Sequence, residues 1–251
     1  MFGLEGKRVV ITGASGGVGM ALVGRFAELG AVVVACDVPG TDFGALPVDR
    51  YHLFDITDRD AVETAARAIC EDGAPDVMVS NAGWTRAETM AQLTTERFDH
   101  EMDLNFRGAA DLSRALLPAM RANPSGASFV FVSSVNALAH YGNPAYAAAK
   151  AGLGAWARAL AAEEGVNGIR ANVVAPGSIR TAAWDHRIER DPAILERVSS
   201  FFPIGRMVAP GEVANAVAFV ASPLASGITG VTIPVDGGLS SSHLPFVREI
   251  A

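Results

Sequence analysis

The 251-residue chain is 50% hydrophobic and 19% charged, with a formal net charge of -7 and a pI near 5.2. That apolar content is ample for one large core, and an acidic balance with no Lys or Arg cluster argues against nucleic acid or an anionic membrane as partner. Two cysteines, Cys36 and Cys70, without metal-ligand spacing exclude a disulfide framework and point to reduced thiols and no metal. No stretch approaches the ~18 uninterrupted apolar residues of a membrane span, and the N-terminus runs straight into a strand, so a cytoplasmic protein is expected.

Short apolar runs recur at 8–12 (RVVIT), 31–37 (AVVVACD), 51–55 (YHLFD), 76–81 (DVMVSN), 128–134 (SFVFVSS), 169–176 (IRANVVAP) and 230–236 (GVTIPVD). They are apolar throughout, as strands covered on both faces are. Between them GMALVGRFAELG, DAVETAARAIC, GAADLSRALLPAMRA and YAAAKAGLGAWARALAAEE carry good helix formers at a spacing near 3.6. This alternation predicts βαβ units, and hence an α/β fold: a three-layer, doubly wound, seven-stranded parallel sheet in a single domain, 1–251. The stretch 181–207 breaks the rhythm with Trp184, His186 and SSFFPIG and is expected to form a substrate lid; 240–251 reads as a polar-to-apolar tail.

After the first run comes TGASGGVGMAL, residues 12–22, with Gly13, Ser15, Gly16, Gly17, Val18 and Gly19 leading into a helix. Glycines there let backbone N–H groups approach a pyrophosphate at a helix N-terminus, where the dipole favours anions. Asp37 follows at the end of the second strand. A carboxylate at that point accepts hydrogen bonds from ribose hydroxyls, and with no Arg or Lys nearby it repels a 2′-phosphate, so NAD is expected and NADP disfavoured.

In NPAYAAAKAG, residues 143–152, a tyrosine and a lysine stand four apart. The chain has 18 arginines but only two lysines, Lys7 and Lys150, and three tyrosines. Chance places a Lys four residues after a Tyr in roughly 2% of such chains, below the usual false-positive rate of short motifs. Asn143 as N-cap and Pro144 at the first helical position would start a helix with Tyr146 and Lys150 on one face. An adjacent ammonium stabilises phenolate, so Lys150 should lower the pKa of Tyr146 and fit it for proton transfer.

The spacing TGxxxGxG with YAAAK, together with DITD (55–58), SNAG (80–83), LNFRG (104–108), FVSSV (131–135), APGSIRT (175–181), PIGRM (203–207) and VDGG (235–238), resembles the short-chain dehydrogenases/reductases in the branch of about 250 residues. The resemblance spans nearly the whole chain. It implies NAD-linked hydride transfer between a secondary alcohol and its carbonyl, with Tyr146 as acid/base and Lys150 also holding the nicotinamide ribose. It implies that Asn105 supports a water leading from Lys150 to solvent, and that a serine holds the substrate oxygen. Counting back from the tyrosine points to Ser133, whereas matching the strand end points to Ser134. Side chains alternate across a strand, so both cannot face the site, and Ser134 is preferred because burial fixes register more firmly than loop length. By the same resemblance Asp55 and Ile56 flank the adenine, Asn81, Ala82 and Gly83 border the cofactor, and Pro176, Gly177, Ile179 and Thr181 meet the nicotinamide end. A homotetramer is also implied.

For the substrate, Trp84, Asn136, His140, Trp184 and His186 are the candidate contacts. Polar donors beside aromatic faces suit a sugar or polyol. A 3-oxoacyl-thioester or other ketone reductase is the alternative, and a non-catalytic dinucleotide sensor a remote one.

Overall fold

The computed structural model describes residues 2–181 and 184–250, except the side chain of His186, so that candidate substrate contact lies outside the described residues. Seven parallel strands form one sheet: β1 (Arg8–Thr12), β2 (Val32–Asp37), β3 (Arg50–Leu53), β4 (Val77–Ser80), β5 (Ala127–Val132), β6 (Ile169–Pro176) and β7 (Thr232–Val235). The order across the sheet is β3-β2-β1-β4-β5-β6-β7. The chain therefore works outward from β1 in one direction, returns, and works outward from β4 in the other. The gap between β1 and β4 is the switch point, beyond whose strand C-termini ligands bind in folds of this kind.

Helices cover both faces, as parallel strands require. On one side α1 (Gly17–Glu28) and α8 (Pro210–Ala221) pack on the sheet through Leu22, Val23, Phe26, Val213 and Val217. On the other, α2 (Arg59–Glu71), α4 (Gly108–Arg121) and α5 (Pro144–Glu164) contribute Ile69, Leu112, Leu116, Leu153 and Leu160. Strands β1, β4 and β5 are almost wholly buried, whereas β3 and β7 are largely not. The expectation that every strand is covered on both faces thus fails at the two edges, where helices overhang only one neighbour. Both cysteines are free thiols; burial pushes the Cys36 thiol up to about 12.

Two local features shape the upper rim. Helix α3 (Thr95–Met102) does not run directly into α4: a π-helical turn, Asp103–Arg107, lies between them. Such turns widen a helix by one residue and often mark functional sites. The stretch 181–207 carries two short helices, α6 (Asp185–Arg190) and α7 (Ile194–Ser199), and α7 buries none of its residues. Its start is anchored by an isolated bridge between Ile179 and Val208. The tail ends in α9 (Leu244–Ile250), with Phe246, Val247 and Ile250 exposed.

Candidate active site

A cavity of about 660 Å³ opens along the C-terminal ends of β2, β1, β4 and β5. Its floor at the switch point is the glycine turn. Gly13 has φ +62, and a Cβ there would lie 2.8 Å from Ala82 Cα. At Gly19 a Cβ would fall 2.0 Å from Gly13 O, so the turn and helix α1 can be this close only without a side chain. Around Gly16 the only heavy atom in reach is Gly13 O at 3.4 Å.

The turn is tied to its neighbours by side chains. Ser15 N donates to Asp37 Oδ2 at 2.8 Å, and Val38 N to Asp37 Oδ1 at 2.9 Å. Thr12 Oγ1 accepts from the amides of Asn81 and Ala82, both at 3.0 Å, while Asn81 Nδ2 donates to the carbonyls of Thr12 and Gly13. No side chain caps α1, and among the described residues the amides of Gly17, Val18 and Gly19 have no acceptor. Open amides at a helix N-terminus, beside a carboxylate at the next strand end, fit an adenosine dinucleotide: the amides suit the pyrophosphate and Asp37 the ribose. The cavity wall also contains Asp55, Ile56, Ala82, Gly83, Pro176, Gly177, Ile179 and Thr181. The Thr181 side chain closes over Gly17, where a Cβ would meet its Cγ2 at 2.8 Å.

At the other end of the cavity stand Ser134, Tyr146 and Lys150. The two adjacent serines part company at the end of β5. Ser133 Oγ is buried and donates to Lys150 O at 2.9 Å, so its hydroxyl is committed to helix α5. Ser134 lines the cavity with Tyr146, and its Oγ accepts from Asn136 N at 3.2 Å. Lys150, 4% exposed, donates from Nζ to Val132 O at 3.0 Å and lies 5.7 Å from the centre of the Tyr146 ring.

The electrostatics differ from the sequence expectation. Burial pushes the Tyr146 phenol up to about 12, with the neighbouring Ser134 hydroxyl pulling the other way and the Glu101 carboxylate adding to the rise. Burial also drives the Lys150 amine down to about 8, against the pull of Glu101. Each group resists its charged form because each has left water. Desolvation thus raises Tyr146, contrary to the lowering expected from Lys150.

Asn105, 1% exposed, sits in the π-helical turn. Its Nδ2 donates to Glu101 Oε2 at 2.8 Å and to the carbonyls of Trp84 and Glu101, while its Oδ1 accepts from Trp84 N at 3.2 Å. It therefore holds the chain just beyond β4 against α3.

Asn143 does not cap α5 through its side chain. It sits at φ +53, and its Oδ1 accepts instead from Glu88 N at 2.8 Å, pinning the loop after β4 to the loop before α5. Of the substrate candidates, Trp84 lines the cavity and is 61% exposed. Among the described residues the cavity wall does not include Asn136, His140 or Trp184. Asn136 spends its amide on Gly142 O at 2.9 Å, His140 points to solvent, and Trp184 packs under Arg187 at 4.9 Å.

Sequence reasoning passed over Thr12, Thr85, Leu104 and Glu101. Thr12 had a signal, since a threonine at the end of an apolar strand must spend its hydroxyl somewhere. Glu101 had none, because the sequence of α3, TERFDHEM, shows no apolar stripe to reveal its inward face.

A family model described as enoyl-(acyl carrier protein) reductase matches residues 13–240. An uncharacterized oxidoreductase of Schizosaccharomyces pombe is 39% identical over 251 residues, covering 98% of this chain and 96% of that relative. A 3-oxoacyl-(acyl-carrier-protein) reductase of Thermotoga maritima is 37% identical over 249 residues, covering 94% and 98%. The crystal structure of an oxidoreductase of the short-chain dehydrogenase/reductase family from Burkholderia thailandensis superposes with a TM-score of 0.88 at 36% identity, over 97% of this chain and 96% of that one. With the switch-point cavity, the glycine turn and the family match over most of its length, the chain belongs to the short-chain dehydrogenase/reductase family of NAD(P)-linked oxidoreductases.

Proposed function

We propose that this enzyme is an NAD-dependent oxidoreductase that interconverts a secondary alcohol and its carbonyl, with Tyr146 as acid/base, Ser134 holding the substrate oxygen, and Lys150 and Asn105 supporting them. The observation that carries the reading is that Ser134, Tyr146 and Lys150 line one cavity with the open amides of α1. A bound nicotinamide supplies the hydride chemistry. The protein's own residues do the rest: the Ser134 hydroxyl orients the reacting oxygen, the Tyr146 phenol takes or returns its proton, and the Lys150 ammonium compensates the phenolate that forms.

Asp37 supports NAD. In the cavity wall the only cation among the described residues is Lys150, bonded to the end of β5, three strands across the sheet from Asp37. Nothing at the Asp37 end would offset a 2′-phosphate.

Two substrate readings stand. The sugar or polyol reading rests on Trp84 and Thr85 side by side in the wall, an aromatic face beside a hydroxyl. It loses support from Asn136, His140 and Trp184, which lie elsewhere. The 3-oxoacyl-thioester reading draws on the relatives that reduce such substrates. A panel of sugars, polyols and 3-hydroxyacyl thioesters with NAD, read as NADH absorbance, separates the two. In the same assay Tyr146→Phe is expected to lower kcat by about 10³-fold while nucleotide affinity, read by fluorescence, stays within about twofold. Turnover unchanged in this variant overturns the reading.

A further inference from the structure

Glu101 is a carboxylate in an unusual place. It is 8% exposed, and among the described residues no cation forms an ion pair with it. Buried charges of this kind are costly unless they are hydrogen-bonded or serve a purpose. Its two oxygens are both used as acceptors: Oε2 takes the Asn105 Nδ2 proton at 2.8 Å and Oε1 the Thr85 hydroxyl proton at 3.1 Å. An amide nitrogen can only donate, so Oε2 stays an acceptor, while burial pushes the Glu101 carboxyl above its usual range. Neither oxygen reaches the cavity wall, which excludes a direct role in holding substrate.

The catalytic lysine lies just beyond Asn105. A Cβ placed on Gly83 would be 2.7 Å from Asn105 Oδ1 and 3.0 Å from Lys150 Nζ, so these two polar groups flank the same spot after β4. The order in space is thus Glu101 carboxylate, Asn105 amide, Lys150 amine, Tyr146 ring.

We propose that Glu101 is a positioning residue of the Tyr146–Lys150 couple: its buried carboxylate clamps Asn105 and supplies the negative charge that keeps Lys150 an ammonium. This rests on the function proposed above. Burial drives the Lys150 amine down to about 8 even with the Glu101 carboxylate in place. Glu101 opposes that fall, since an opposite charge in a medium of low dielectric favours the ammonium. The other groups around Glu101 do not replace it. His100 shares its helix, Arg86 and Glu88 stand on the loop after β4 with opposite signs, and Tyr146 and Lys150 face it from α5.

The chain offers a clean measurement, because it contains only two lysines, Lys7 and Lys150. With lysine labelled by carbon-13 at Cε, NMR resolves two titrations, assigned by a Lys7→Arg variant. In Glu101→Gln, which keeps the shape and the acceptor oxygen, the Lys150 midpoint should fall by about one unit, a tenfold loss of ammonium at a given pH, while Lys7 stays put. The pH profile of kcat should contract from its alkaline side, because Lys150 then loses its proton earlier. Glu101→Asp, which keeps the charge on a shorter arm, should move the midpoint less, and Glu101→Ala, which removes the charge, serves in place of Gln if that variant does not fold. An unmoved Lys150 midpoint in the folded variant overturns the proposal. Full turnover in Tyr146→Phe would instead overturn the underlying function and leave the lysine titration to stand or fall alone.

Discussion

The two ends of the cavity are built by different means. The end under Asp37 is made of backbone: a glycine turn, strand ends and the first turn of α1, locked by Thr12 and Asn81. The end around Tyr146 is made of side chains: Trp84 and Thr85 after β4, Ser134 after β5, and Tyr146 and Lys150 on α5. Backbone walls tolerate little change where main-chain atoms are in close contact, as at Gly13 and Gly19. Side-chain walls on loops accept substitution, and for that reason they carry specificity. One end serves a cofactor common to many enzymes, and the other a substrate particular to this one.

The largest expected effect breaks the backbone end. A methyl at Gly19 would sit 2.0 Å from Gly13 O and 2.7 Å from Ala14 C, both main-chain atoms that cannot move without opening the turn. Gly19→Ala should therefore destabilise by about 3 kcal/mol or more in urea titrations and abolish nucleotide binding. Gly16→Ala is the contrast. Its methyl meets only Gly13 O at 3.4 Å, so stability should stay within about 0.5 kcal/mol, and any loss should appear in nucleotide affinity alone.

A smaller effect tests what the backbone end selects. Replacing Asp37 by Ser removes the charge that a 2′-phosphate would meet and keeps an oxygen for the Ser15 amide. The ratio of kcat/KM for NAD over NADP should fall by at least about tenfold, roughly 1.4 kcal/mol of discrimination. A ratio that does not move would show that NAD selection, if present, lies elsewhere in the wall.

This division also explains what could be read in advance. The seven strands and the helices alternating with them follow from local periodicity, because parallel strands buried on both faces write their burial into the sequence. Positions defined by the backbone, such as Gly13, Gly19 and the strand-end Asp37, were legible for a related reason: only a few residue types satisfy those geometries. The exposure of β3 and β7 was not legible, since edge position depends on the order of strands and not on any one strand. Glu101 was hidden because its partner groups, Thr85, Asn105 and Lys150, come from three other segments. Asn136 and His140 were drawn towards the site by their nearness in sequence to Tyr146, yet a loop of this length can turn its polar groups onto its own backbone, as Asn136 does with Gly142. Asn143 was misjudged in the same way: an Asn before a Pro suggests a cap, but nothing local reveals that the loop after β4 passes close enough to claim its side chain.

The smallest expected effect concerns that last contact, which joins the two loops of the substrate end. Asn143 holds φ +53, a conformation that costs an ordinary side chain about 1 kcal/mol and that Asn tolerates better than most. Its Oδ1 takes the Glu88 amide, and its own amide returns a bond to Glu88 O at 3.2 Å. Asn143→Ala loses the side-chain bond and keeps the strain, so about 1–2 kcal/mol of stability should go. Asn143→Gly loses the same bond and relieves the strain, so its stability should lie closer to that of the parent. If the bond matters only for stability, the glycine variant will turn over like the parent. If it sets the distance between Trp84 and Ser134, both variants will raise KM for substrate by a few-fold, to a similar extent despite their different stabilities, while KM for NAD stays fixed. The second outcome is the one expected, because the bond joins the walls that face the substrate and touches nothing at the Asp37 end.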